Sequence, residues 1–135
     1  WAWKGSPAYL NGKEIHVTSI NNLDQSFIEL GFPYDAERFR PIITRLIERL
    51  YGRVGGLRLL GSAAVELCYI AAGRFEARIE AFLGPWDIAA GGLILMNAGG
   101  CMSDFQGRAD CWSGREVLAS NGKIPSELQS ILQKR

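Results

Sequence analysis

The chain has 135 residues, 47% of them apolar, which is enough for one domain with a real core and leaves little room for a second. Fifteen Lys and Arg face fourteen Asp and Glu, a net charge of +1, so composition excludes a strong electrostatic pull toward nucleic acid or anionic lipid. Uncharged stretches such as residues 88–101 are broken by glycine and too short to span a bilayer.

Residues 1–20 read as strands. Trp1-Ala2-Trp3 is interrupted by Gly5-Ser6-Pro7, Ala8-Tyr9-Leu10 resumes, and Asn11-Gly12 is a two-residue hairpin signal. Residues 13–18 alternate, with Ile15 and Val17 on one side. A further strand over 26–32 ends at Pro33. Ile42, Ile43, Leu46, Ile47 and Leu50 recur at helical spacing and predict a helix over 41–51, with Pro41 in its first turn and Asp35 capping a short turn before it. Gly52 stops that helix, and Gly55-Gly56 lead into a short apolar strand over 57–60.

Ser62 stands as the N-cap of a helix over 63–72, stopped by Gly73. Residues 75–82 alternate as a strand, and Gly84-Pro85-Trp86-Asp87 reads as a turn. Asp87 occupies the N-cap position of a helix over 88–98, which Gly99-Gly100 ends. Strands over 101–105 and 116–120 and a closing amphipathic helix over 126–133 complete the chain. Strands that alternate with helices predict an α/β fold, a mixed sheet flanked by helices. Such sheets place ligand sites at strand C-ends and helix N-termini, here residues 61–64 and 86–90.

Cys68, Cys101 and Cys111 are odd in number, widely spaced and accompanied by a single histidine, His16. They read as three buried or half-buried thiols rather than a disulfide framework or zinc site, and predict a reducing, cytoplasmic setting. A start at Trp1, with no basic segment leading an apolar one, predicts a piece or processed product without a signal peptide.

Three positions stand out for chemistry. A carboxylate such as Asp87 at a helix N-terminus is ordinarily a cap; alternatively it holds a hard cation such as Mg²⁺, which prefers carboxylate oxygen, water and phosphate. Ser62 caps its helix, or with the N–H groups of Ala63 and Ala64 it receives an anion or hydroxyl. Glu76, Arg78 and Glu80 share one strand face, which is either solvated or presents Glu80 to a polyhydroxylated ligand.

Trp86-Asp87-Ile88-Ala89-Ala90-Gly91, followed by Asn97-Ala98-Gly99-Gly100 and then Asp104, resembles the C-terminal signature of the inositol monophosphatase family: W-D-x-A-A-G, a helix, E-A-G-G, and a strand ending in Asp. Gly61-Ser62-Ala63-Ala64 is similar to that family's G-[ST]-A-A segment. Lys4-Gly5 with residues 8–12 is similar to its K-G-x-G-A-x-x-N-G hairpin. Glu80 stands where the family has a substrate-binding Glu. The W-D-x-A-A-G element is the specific one, and the likeness runs over nearly the whole chain.

The resemblance implies the C-terminal half of a layered α-β-α-β-α sandwich. Residues 1–20 would be leftover strands of a first sheet, and 26–135 the second sheet with its helices. It implies Mg²⁺-dependent hydrolysis of the phosphate monoester of a small polyol such as inositol monophosphate. Asp87 would ligate the second ion near the leaving oxygen, Ser62 and the Ala63 backbone would contact substrate, Glu80 would bind its hydroxyls, and Trp86 would pack behind Asp87. Asn97, where the family has Glu, implies a local packing change. The family's upstream Glu pair and D-P-x-D-G-T loop, which supply the first metal site, do not occur here. No catalytic residue is therefore assigned. The chain is expected to be inactive alone and to need an N-terminal half or second chain, with a homodimer as the analogous assembly. Two alternatives are a non-catalytic fragment or binding module, and a sugar bisphosphate or nucleotide 3′-phosphate phosphatase of the same superfamily.

Overall fold

The structure, a computed structural model, describes residues 1–113 and 115–133. β1 (Ala8–Leu10) and β2 (Lys13–Ile15) form an antiparallel hairpin with Ala8 opposite Ile15 and Leu10 opposite Lys13. Its two turn residues, Asn11 and Gly12, both take positive φ (53° and 79°), the geometry that matches the right-handed twist of paired strands.

The rest of the chain runs β3 (Phe27–Leu30), α1 (Ala36–Leu50), β4 (Gly56–Arg58), α2 (Ala63–Ala71), β5 (Ala77–Ala81), α3 (Pro85–Asn97), β6 (Cys101–Ser103), β7 (Glu116–Ser120) and α4 (Pro125–Gln133). One five-stranded sheet has the order β4-β3-β5-β7-β6. β3 lies parallel to β4 and β5, whereas β7 runs antiparallel to β5 and β6. This is the mixed sheet flanked by helices that the alternation of elements predicts.

Strand alternation divides the core between the two faces. Ile28, Leu30, Ala77, Ile79 and Leu118 meet Leu46 and Leu50 of α1 and Leu128 and Ile131 of α4. Val117, Ala119 and Met102 meet Leu67 and Ile70 of α2 and Ile88 and Leu95 of α3. α2 and α3 cross at Gly91, where a β-carbon would stand 2.9 Å from Leu67 Cβ, so only glycine allows the approach.

Three local readings are corrected. α1 begins at Ala36 rather than residue 41. Asp35 Oδ1 accepts the N–H of Arg38 (3.2 Å), so Asp35 caps the long helix itself, and Pro41 lies within the helix at the cost of one intrahelical hydrogen bond. β2 ends at Ile15, because Val17 gives its N–H to Ala98 O (3.1 Å) and ties the chain to the end of α3 instead of extending the hairpin. β6 ends at Ser103, since Asp104 turns the chain by accepting the N–H groups of Gln106 (2.9 Å) and Arg108 (2.8 Å).

Asn97 gives its side-chain N–H to Trp3 O (2.8 Å) and secures the N-terminal segment to α3. The three thiols are unpaired, Cys111 buried and Cys68 and Cys101 half-buried. Among the described residues no helix is long and apolar enough to cross a membrane.

Candidate active site

Because β3, β4 and β5 are parallel, their C-terminal ends share one edge of the sheet, and α2 and α3 both start there. A cavity of about 440 Å³ opens at that edge, and its walls include Ser62, Ala63, Arg78, Glu80, Phe82 and Asp87. The four residues singled out from sequence for substrate and metal therefore line one hollow. Asp104, the last element of the motif, does not line it.

At the start of α2, Ser62 is the N-cap residue in an extended conformation (φ −140°, ψ 100°), but its hydroxyl makes no capping bond. Glu66 instead ties down the loop that leads into the helix: its Oε1 accepts the N–H groups of Leu60 (3.1 Å) and Gly61 (2.8 Å). The expected side-chain cap is corrected accordingly. The exposed Ser62 hydroxyl and the first N–H groups of α2, which like those of any helix lack intrahelical acceptors, face the hollow without a protein cap.

At the start of α3 the cap is Gly84, and Asp87 is the third helical residue. Asp87 Oδ2 accepts the N–H of Gly84 (2.8 Å) while Gly84 O accepts the N–H of Asp87 (3.0 Å), a reciprocal arrangement that fixes the carboxylate of this cavity-lining residue. The N-cap reading of Asp87 fails because Pro85, well suited to a first helical position, starts the helix earlier. Trp86 does not pack behind Asp87. It is 81% exposed, with its indole folded back over Gly84, where any β-carbon would overlap the ring.

The polar face of β5 is not solvated. Arg78 is 1% exposed and ion-paired with Glu66 of α2 and Glu80 of β5, with Glu29 of β3 at 3.9 Å from Nη1. Glu29 and Arg78 are register partners on neighbouring strands. Glu76 is also buried and accepts Thr18 Oγ1 (3.0 Å) and the N–H of Phe27 (2.7 Å). Burial pushes the Glu29 carboxyl above the usual carboxylate range, with Arg78 and then Arg58 pulling it back, and burial lowers Arg78 to about 10. No motif marks Glu66, Arg78 or Glu29 as site residues. The available signal is the position of β5 among helix-separated strands, where both faces are covered and any charge must be paired.

Phe82 follows β5 with φ 65°, a left-handed backbone that costs a bulky residue about 1–3 kcal/mol. Its N–H bonds to Arg115 O (3.0 Å), Phe39 packs at 4.4 Å between ring centroids, and the Arg38 guanidinium lies 4.3 Å over its ring. These contacts hold Phe82 as a wall of the cavity.

For a cation, the donor set offered by this chain is small. Among the described residues no group of three or more His, Cys, Asp or Glu is disposed to hold a metal. Asp87 suits one ligand position of a hard cation, and the remaining ligands of an octahedral Mg²⁺ have to come from water, phosphate or another segment.

The sequence pattern of the inositol monophosphatase family matches residues 1–135. The chain belongs to that family. Nus factor SuhB of Salmonella typhimurium is 35% identical over 123 residues, covering 91% of this chain and 46% of that protein. Among solved inositol monophosphatase folds, extragenic suppressor protein suhB from Bartonella henselae superposes with a TM-score of 0.91 at 32% identity, covering 98% of this chain and 51% of that one. Inositol monophosphatase from Anabaena gives 0.89 at 30%, covering 95% and 51%. The chain thus spans about half the length of the family members it matches.

Proposed function

We propose that this chain forms the substrate-side wall of a Mg²⁺-dependent phosphomonoesterase acting on a small polyol phosphate such as inositol monophosphate. The observation that carries the reading is the convergence of Ser62, Ala63, Glu80 and Asp87 on one cavity of about 440 Å³. Membership of the inositol monophosphatase family supports it.

Each group has a task its chemistry suits. The Ser62 hydroxyl and the N–H of Ala63 receive an oxygen of the ligand, favoured by the positive end of α2. Glu80 accepts hydrogen bonds from ligand hydroxyls, and its carboxylate is acceptor-only when ionised. Asp87, held by Gly84, offers an oxygen to the cation. The ion, when bound, stabilises charge developing on the departing oxygen. Phe82 closes one side against water. The groups that activate the attacking water belong to the upstream half of a family-length protein, so the 135-residue chain is inactive alone and works with that half or with a second chain.

The test is phosphate release from inositol monophosphate with Mg²⁺. The isolated chain is expected to release none above background, and the family-length protein containing it to turn over. In that longer protein Asp87→Asn is expected to remove most of the turnover; an unchanged rate at limiting Mg²⁺ takes Asp87 out of the metal site. The even charge balance gives no electrostatic argument for a nucleic-acid partner.

A further inference from the structure

Arg78 lies at the floor of the cavity, and its three carboxylate neighbours come from three different elements. Glu29 belongs to β3, Glu66 to α2 and Glu80 to β5. Two of them connect to the site. Glu80 is itself a wall of the cavity. Glu66 uses its other oxygen to hold the N–H groups of Leu60 and Gly61, the two residues that deliver Ser62. Arg78 meets Glu66 through Nη1 and Glu80 through Nη2, so one planar guanidinium spans both.

We propose that Arg78 is a positioning residue that couples the start of α2 to the Glu80 carboxylate, fixing the spacing between the two walls that grip the ligand. The proposal rests on the reading of this cavity as the substrate site. A long carboxylate on a strand samples several rotamers unless a counter-charge holds it, and a helix start samples several approaches unless its loop is tied. A single guanidinium does both with one rigid fork; a lysine, a point charge on a flexible stem, engages only one partner well. Arg78 does not serve the ligand directly, because three carboxylates crowd it and an anion placed there would be repelled.

The test uses the 135-residue chain and needs no ligand for its first arm. Amide exchange is followed by NMR in wild type, Arg78→Met and Arg78→Lys. Arg78→Met is expected to speed exchange at Leu60 and Gly61 by about tenfold, through the loss of the buried ion pair that holds Glu66, with Leu118 and Ala119 in the sheet unchanged; Arg78→Lys is expected to restore it in part. Glu80→Gln is expected to shift the Ser62 and Ala63 amide signals in wild type but not in Arg78→Met. No local change at Leu60 and Gly61, or an equal response to Glu80→Gln in both backgrounds, overturns the coupling. If Arg78→Met does not fold, Glu66→Gln replaces it and must produce the same local exchange and the same loss of the Glu80→Gln response. The second arm titrates inositol monophosphate into the family-length protein with Mg²⁺. Arg78→Lys is expected to raise KM severalfold with a smaller change in kcat. Failure of the wild-type protein to bind or turn over this probe defeats the substrate reading while leaving the coupling arm to stand or fall separately.

Discussion

The Glu80 side chain lies across Gly31, in the space a β-carbon of residue 31 would fill. Gly31 also gives its N–H to Ile79 O (2.9 Å), extending β3 against β5 just where the cavity begins. A side chain at residue 31 therefore requires Glu80, paired with Arg78, to move. Gly31→Ala is expected to destabilise the fold by about 1–3 kcal/mol through overpacking and to expel Glu80 from its place. Urea unfolding measures the first. A crystal structure of the variant with Glu80 unmoved would contradict the second.

Ser62 and Glu66 carry unequal structural duties around the start of α2. Because the Ser62 hydroxyl caps nothing, Ser62→Ala is expected to change stability by no more than about 0.5 kcal/mol. Glu66→Ala strips two N–H groups of their acceptor and leaves Arg78 short of a partner in a buried setting, so about 3–5 kcal/mol is expected. Comparable losses for the two variants by chemical denaturation would mean that Ser62 is structural after all.

Asp87 has a structural duty as well as its proposed one. Asp87→Ala removes the acceptor for Gly84 N–H and is expected to cost about 1 kcal/mol, whereas Asp87→Asn keeps an acceptor and is expected to cost less. A thermal melt of both variants without added metal checks this. Equal losses would show that the Gly84 bond contributes nothing measurable.

Two buried carboxyls pull stability in opposite directions with pH. At Asp104, burial pushes the pKa up, but the backbone N–H and then the guanidinium of Arg108 outweigh it and hold it below the usual range. The unfolded chain then binds this proton more readily, so the contribution is fully present above the ordinary Asp pKa and is lost as pH falls from there through the lowered folded value. Glu29 is the reverse: the folded state keeps its proton above 4.5, so stability declines as pH rises from there toward the folded value. Asp104→Asn is expected to flatten the acid limb of the unfolding free energy, and Glu29→Gln the limb above 4.5. Parallel curves for Glu29→Gln and wild type would show that Glu29 ionises freely inside the cluster.

What the sequence discloses here, and what it withholds, follows from how local each signal is. The Asn11-Gly12 turn is fixed within the turn itself, and the glycine stops after α1, α2 and α3 leave similar marks. The segment 86–91 is legible because a cap, a cavity wall and a close helix crossing at Gly91 together restrict several adjacent residues. Errors arise where two local rules compete. Pro41 reads as a helix start, yet Asp35 is the stronger start signal and the helix absorbs the proline. Pro85 and Asp87 both fit the beginning of α3, and the proline takes the earlier place. Arg78 and Glu66 are the least legible, because alternation along one strand cannot say that the preceding helix, α2, covers its charged face and brings the compensating carboxylate.

β7 is the penultimate element in the chain but lies between β5 and β6. A nascent chain leaving the ribosome therefore exposes the open flank of β5, and holds β6 without its neighbour, until residues 116–120 have emerged. The sheet closes only once β7 is made, so during synthesis β5 and β6 depend on that strand arriving before another molecule's strand takes the vacancy.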